Sequence, residues 1–175
     1  MIGNVLTLLR TFAGIILLRK GPEDIPHSSV LFVIVTAVWL LVGVVAVMVV
    51  ETYSGTGLLI DLVLAFVGLG IYAIVVSAFG QSVRLLRCLT AVLGCGIVFS
   101  IVIFGGRSLL PLLLTEGEID WALQLIWFWS IPVEGHIIAR TIDRQWGLGF
   151  LVALAVLFAQ WQLIAVLKPV LGPAV

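Results

Sequence analysis

The sequence predicts an all-α integral membrane protein: a bundle of five transmembrane helices preceded by an N-terminal amphipathic helix at the membrane interface. Three observations predict it. Hydrophobic residues make up 62% of the chain and charged residues only 10%, more apolar side chain than a water-soluble domain of this size can cover with polar surface. Five apolar stretches approach the roughly 20 residues that a helix needs to cross hydrocarbon. Basic residues gather in alternate loops, as they do where a chain crosses a bilayer repeatedly.

Residues 1–27 form the first unit. In Met1–Leu18 the residues Asn4, Thr7, Thr11 and Gly14 recur at spacings of three and four, so they share one helical face. Ile2, Val5, Leu6, Leu9, Phe12, Ile16 and Leu17 cover the rest. This predicts a helix lying in the membrane plane, its polar stripe toward water, with Arg10, Arg19 and Lys20 at the lipid interface. The alternative is a helix packed against the bundle. Arg10 interrupts the apolar run and no small-residue cleavage motif follows, so a cleavable signal peptide is not expected. Gly21–Pro26 carries two prolines that break the helix, and Ser28 or Ser29 can cap the next one. Glu23 and Asp24 are expected to pair with Arg19 or Lys20, an exposed interaction worth up to about 1 kcal/mol.

Residues 28–168 hold the predicted spans: Val30–Val50, Leu58–Phe79, Cys88–Gly105, Trp121–Ala139 and Leu148–Leu167. Arg10, Arg19, Lys20, Arg84, Arg87, Arg140 and Arg144 fall on one side; only Arg107 and Lys168 fall on the other. The bias places the N-terminus in the cytoplasm and the C-terminal tail, residues 169–175, outside. Glu51, Glu116, Glu118 and Asp120 lie on the outer side, and Trp121 and Trp146 fall at span ends, where indole favours the headgroup region. Ser108–Asp120 is the longest outer loop, too apolar around Pro111 to be freely solvated; it is expected to dip into the outer headgroup region or contact a partner, the bland reading being a short surface helix. Small residues four apart (Ala73/Ser77, Thr90/Gly94, Gly96/Ser100, Gly135/Ala139, Ala155/Ala159) predict close helix–helix approach. Cys88 and Cys95 are seven apart on one helix, about 10.5 Å along its axis, too far to bridge. They read as apolar core thiols.

Ionisable groups inside spans are costly, so each needs a partner, a cavity or a role. Asp61 near the start of the second span suits a helix N-terminus. Glu134 is deeper, about 20 Å of helix rise from Trp121. Ser130 and Trp127 share its face, and Pro132 should disturb the helix one turn above and free a carbonyl. His136 points elsewhere, because residues two apart do not face each other. Glu134, His136, Ser130 and Gln160 therefore form the candidate intramembrane polar site, with Gln124 and Gln162 as further partners. The functional reading is proton carriage or a polar cavity; the bland one is buried polar contacts between helices. His27 beside Pro26 reads as a surface residue. The sequence holds no phosphate-binding loop, metal-spaced histidine pair or nucleophile elbow. No catalytic residue, metal or cofactor is expected. A formal net charge of zero gives no support for nucleic-acid binding.

Two stretches carry a resemblance. Leu18-Arg19-Lys20-Gly21-Pro22-Glu23-Asp24-Ile25-Pro26-His27-Ser28, and Trp129-Ser130 followed by Gly135-His136-Ile137-Ile138, are similar to a family of small proteobacterial inner-membrane proteins. The resemblance implies a bacterial inner membrane and no particular activity. The layout of a cytoplasmic segment and five spans also resembles the Yip1-domain membrane proteins, in topology alone. These readings together predict a non-enzymatic accessory, assembly or scaffold component that contacts the lipid bilayer and a membrane-protein partner or a second copy of itself. The alternative is a small transporter or channel with Glu134 and His136 on its pathway.

Overall fold

The computed structural model describes residues 2–49 and 55–171. Glu51 and residues 172–175 of the predicted tail lie outside the described residues, as do the side chains of Asn4 and Lys168. The described residues form six α-helices and three short 3-10 turns, with no strand: α1 (Ile2–Ile16), α2 (Ser29–Val49), α3 (Gly55–Ala78), α4 (Leu85–Leu109), α5 (Glu116–Ile142) and α6 (Trp146–Leu171). An all-helical fold follows from composition, because a helix satisfies its backbone donors and acceptors within one segment. Four stretches are long and apolar enough to cross a membrane: Ser29–Ala46, Thr56–Ala78, Ser82–Leu109 and Trp146–Leu167. The fourth expected span, Trp121–Ala139, falls within α5, the longest helix, which does not reach that apolarity.

The helix ends are built locally. Ser28 Oγ accepts the Leu31 N–H at 3.2 Å, so Ser28 is the cap of α2. Thr115 and Glu118 form a reciprocal capping box at the start of α5. Those hydrogen bonds favour the ionised carboxylate and hold Glu118 below its ordinary carboxyl range. The contribution is present at neutral pH and is lost as pH falls through the lowered value. Three helices end alike. Leu18, Gly80 and Asp143 have positive φ (58°, 73° and 56°). After each, the next amide reaches back five residues: Arg19 to Gly14 O, Gln81 to Val76 O and Arg144 to Ala139 O, at 2.9–3.0 Å. This is the Schellman pattern. Gly and Asp tolerate that backbone region; a leucine there is strained.

The expected loop Ser108–Asp120 is mostly helix. α4 runs on to Leu109, Leu110–Leu112 forms a 3-10 turn, and α5 begins at Glu116. Arg107 and Asp120 pair across the turn at 3.0 Å, both exposed. A helical path satisfies backbone groups that an apolar loop would leave unpaired. Asp61 is also placed differently: α3 starts at Gly55, so Asp61 is well past the first turn, where the terminal dipole acts. It lines a small cavity of about 90 Å³ with Trp39, Gly43 and Ser100.

Packing centres on α5, which lies against both α4 and α6; α2 packs on α4, and α3 on α6. The small residues decide the tightest contact. A Cβ on Gly135 would stand 2.7 Å from the Phe150 Cα, and one on Gly149 would stand 2.6 Å from the Ala139 N. Gly135 and Ala139 thus let the α6 backbone touch α5 just after the turn at Asp143. Gly94 of α4 receives the Phe12 ring of α1 in the space a side chain would fill. Cys88 and Cys95 are free and buried in the core, as expected. Replacing Gly149 by valine should destabilise the α5–α6 hairpin by about 1–3 kcal/mol, the range for overpacking. Unfolding in detergent checks this, with Gly147→Ala, which has open space around it, expected to change little.

Candidate functional site

Glu134 finds its partner on α3. Its Oε2 accepts the Tyr72 hydroxyl proton. Tyr72 is almost fully buried, and a buried phenol needs such an acceptor. The sequence reading did not single out Tyr72. The signal was available: a tyrosine amid the apolar Gly70–Val76 run carries one hydroxyl that hydrocarbon cannot satisfy.

Two cavities meet at Glu134. One, of about 150 Å³, is lined by Trp39, Gly68, Tyr72, Gly96 and Gln160 among others. The second, of about 190 Å³, lies between α4 and α5, with Cys95, Ser100, Trp127 and Ser130 in its wall. Ser130 therefore shares a cavity with Glu134, but its hydroxyl donates to the Trp127 carbonyl at 2.7 Å. α5 continues through Pro132. Gln160 shares the first cavity, yet its amide donates to the Leu64 carbonyl of α3 at 3.0 Å. It ties α6 to α3 instead of bonding Glu134. Gln124 and Gln162 are exposed.

His136 belongs to a different arrangement. Its Nε2 lies 2.9 Å from the Lys20 carbonyl oxygen, where a protonated ring nitrogen would donate. Trp129 Nε1 donates to the Ile16 carbonyl at 3.0 Å, and Arg140 pairs with Glu23. Trp129, His136 and Arg140 are spaced by seven and four residues, so they form one stripe along α5. Together they strap the end of α1 and the following turn to α5. The strap accounts for the strained Leu18: carbonyls on both sides of it are held by α5, and its side chain packs against the core.

The expected pairing of Glu23 and Asp24 with Arg19 or Lys20 is replaced. Glu23 reaches Arg140, while Asp24 Oδ2 accepts the Gly21 N–H at 3.1 Å. The turn Pro22–Asp24 points Glu23 toward α5, which spacing along the chain could not reveal. Of the expected lipid-interface residues, Arg10 and Arg19 are exposed, and the exposed Lys20 places Nζ 3.5 Å from Thr11 Oγ1. Thr11 itself is buried. The polar face of α1 thus turns partly inward, while Leu6, Leu9 and Leu17 are exposed. His27 is exposed, as expected. No group of residues suited to holding a metal ion occurs among the described residues.

This arrangement defines a helical bundle of apolar composition in which Tyr72 and Glu134 pair with each other and other polar side chains bond to main-chain carbonyls. No protein-family model, curated protein or solved structure matches the chain.

Removing the Tyr72 hydroxyl should cost about 1–3 kcal/mol, because the Glu134 carboxyl loses its partner in a buried setting. In a double-mutant cycle, Tyr72→Phe and Glu134→Leu should couple by at least about 0.5 kcal/mol, measured by unfolding in micelles. Additive losses would mean the pair does not interact.

Proposed function

We propose that this chain is a non-enzymatic, multi-pass protein of a bacterial inner membrane, acting as an accessory, assembly or scaffold component through contacts made inside the membrane. The observation that carries this reading is where the intramembrane polar groups point. Glu134, Gln160, Trp129 and His136 each engage another helix or the N-terminal segment of the same chain. They hold the bundle together, and they do not converge on one conduit: Glu134 and His136 serve opposite sides of α5. The bundle meanwhile offers apolar helix faces, such as Val30, Val33, Ile34, Leu41 and Val45 on α2. Lipid covers such a face, and a membrane partner can replace that lipid through packing alone. The bacterial location rests on the resemblance of Leu18–Ser28 and of the Trp129–Ile138 region.

In this reading α5 also crosses, as the fourth of five spans. Its support is the close contact with α6, since two antiparallel helices joined by a tight turn share the same depth. Five crossings put the termini on opposite sides, and the basic loops then assign the N-terminus to the cytoplasm and the C-terminus to the outside. α1 then belongs to the cytoplasmic side, set beside α4 and α5 without crossing. Reporter fusions after Arg144 and after Lys168 check the count: the first should report the cytoplasm and the second the outer compartment. The reverse pattern is the signature of an α5 that does not cross.

A small transporter or channel is the second reading, favoured by the two cavities that flank Glu134. One pair of variants separates the classes. For a scaffold, Glu134→Gln preserves assembly, because the amide matches the carboxyl in shape, whereas Glu134→Ala weakens it by about 1–3 kcal/mol by leaving Tyr72 unpaired. For a proton-coupled transporter, Glu134→Gln abolishes flux in proteoliposomes with the fold intact. Extraction into native nanodiscs should also retain a membrane-protein partner or a second copy of the chain; a lone monomer contradicts the scaffold role.

A further inference from the structure

At the end of the bundle where α4 begins and α5 ends lies the largest cavity described, about 500 Å³. Arg84, Arg87, Arg140 and Arg144 line it, together with Pro22, Glu23, Ala139, Thr141 and Asp143. Four guanidinium groups face two carboxylates, a surplus of two positive charges. Membrane topology alone requires basic residues on this side, but it does not require them to share one concavity. The protein uses some of their donors. Arg140 pairs with Glu23, Arg84 donates to the Thr141 carbonyl at 3.4 Å, and Arg144 lies 5.9 Å from the centre of the Phe79 ring. Each guanidinium has five N–H donors, so these contacts leave most of the set unspent. Arg87 is the sharpest case: its Nε is buried with no hydrogen-bond partner among the described residues. A buried donor without an acceptor is rare in a folded protein and asks for a missing guest.

We propose that this cavity is a binding site for a phosphate group, held by Arg87 and Arg84 with Arg144 at its side. Guanidinium groups bind phosphate oxygens in paired, charge-assisted hydrogen bonds, and the excess charge suits either a lipid phosphodiester, which offsets one positive charge, or a free phosphate or monoester, which offsets close to two. The cavity has room for a phosphate together with part of the molecule that carries it. That molecule is either an anionic lipid headgroup or a soluble phosphate compound. The site goes beyond the scaffold role and stands without it, because it depends only on the arginine cavity.

The test uses the full chain in phosphatidylcholine nanodiscs. In one arm, inorganic phosphate is titrated against chloride at matched ionic strength and followed by calorimetry. In the other, nanodiscs containing phosphatidylglycerol are used and the lipid retained after delipidation is identified by native mass spectrometry. Saturable phosphate binding indicates a soluble source. Retention of phosphatidylglycerol without phosphate binding indicates a headgroup. Either result supports the site if Arg87→Gln and Arg84→Gln weaken binding about tenfold, equivalent to one charge-assisted hydrogen bond, while Arg107→Gln at the opposite end does not. Arg87→Lys keeps the charge and loses the paired geometry, so it should also weaken binding if Arg87→Gln does not fold. Absence of saturable binding in both arms of the parent protein, or equal losses from the Arg87 and Arg107 variants, overturns the proposal.

Discussion

Hydrocarbon offers no hydrogen-bond partners, so a polar group placed inside a membrane bundle must find its partner within the protein or face a cavity. Most of this architecture can be traced to that constraint acting on α5. The helix carries a tryptophan, a glutamate, a histidine and an arginine in its second half, and between them they reach two other parts of the chain. Glu134 draws in α3 through Tyr72; Trp129, His136 and Arg140 draw in the N-terminal segment. The hydroxyls of Thr36, Thr90 and Thr141 follow the same logic more cheaply, each donating to the carbonyl four residues earlier on its own helix.

Shape complements this polar network. Apolar contact between helices gains little in lipid, because lipid tails are as apolar as leucine. Close approach is what brings helices together, and here it depends on glycine. Gly135, Ala139 and Gly149 allow α5 and α6 to meet backbone to backbone, and Gly94 admits Phe12. The strain at Leu18 persists because both contributions act there at once: core packing of its own side chain, and α5 side chains holding the carbonyls around it.

The two ends of the bundle differ in character. The end at Arg107 and Asp120 carries an exposed ion pair and a short turn of leucines, where little is enclosed. The opposite end carries the helix terminations at Leu18, Gly80 and Asp143 and encloses the arginine-lined cavity. The concentration of arginines in one cavity comes from the way the Pro22–Asp24 turn, the start of α4 and the end of α5 converge.

Helical secondary structure, apolar helices long enough to cross a membrane, the Ser28 cap, the buried cysteines and the Gly135/Ala139 contact were legible in the sequence. Each depends on neighbours within a few residues or on composition, and hydropathy and helical period report those directly. The approximate positions of the apolar helices were legible for the same reason, although α4, α5 and α6 run past the expected spans at both ends. That the Tyr72 hydroxyl needs a partner was legible; that the partner is Glu134, 62 residues away, was not, because an isolated tyrosine carries no spacing signal. That Glu134 and His136 lie on different faces of α5 was legible from their spacing; which partner each one meets was not. Glu23 was assigned to the nearest cations along the chain, whereas the turn at Pro22 aims it at Arg140. Which polar group meets which is set by how helices pack, and only the tertiary structure decides that, since packing joins residues whose separation along the chain carries no information about their contact.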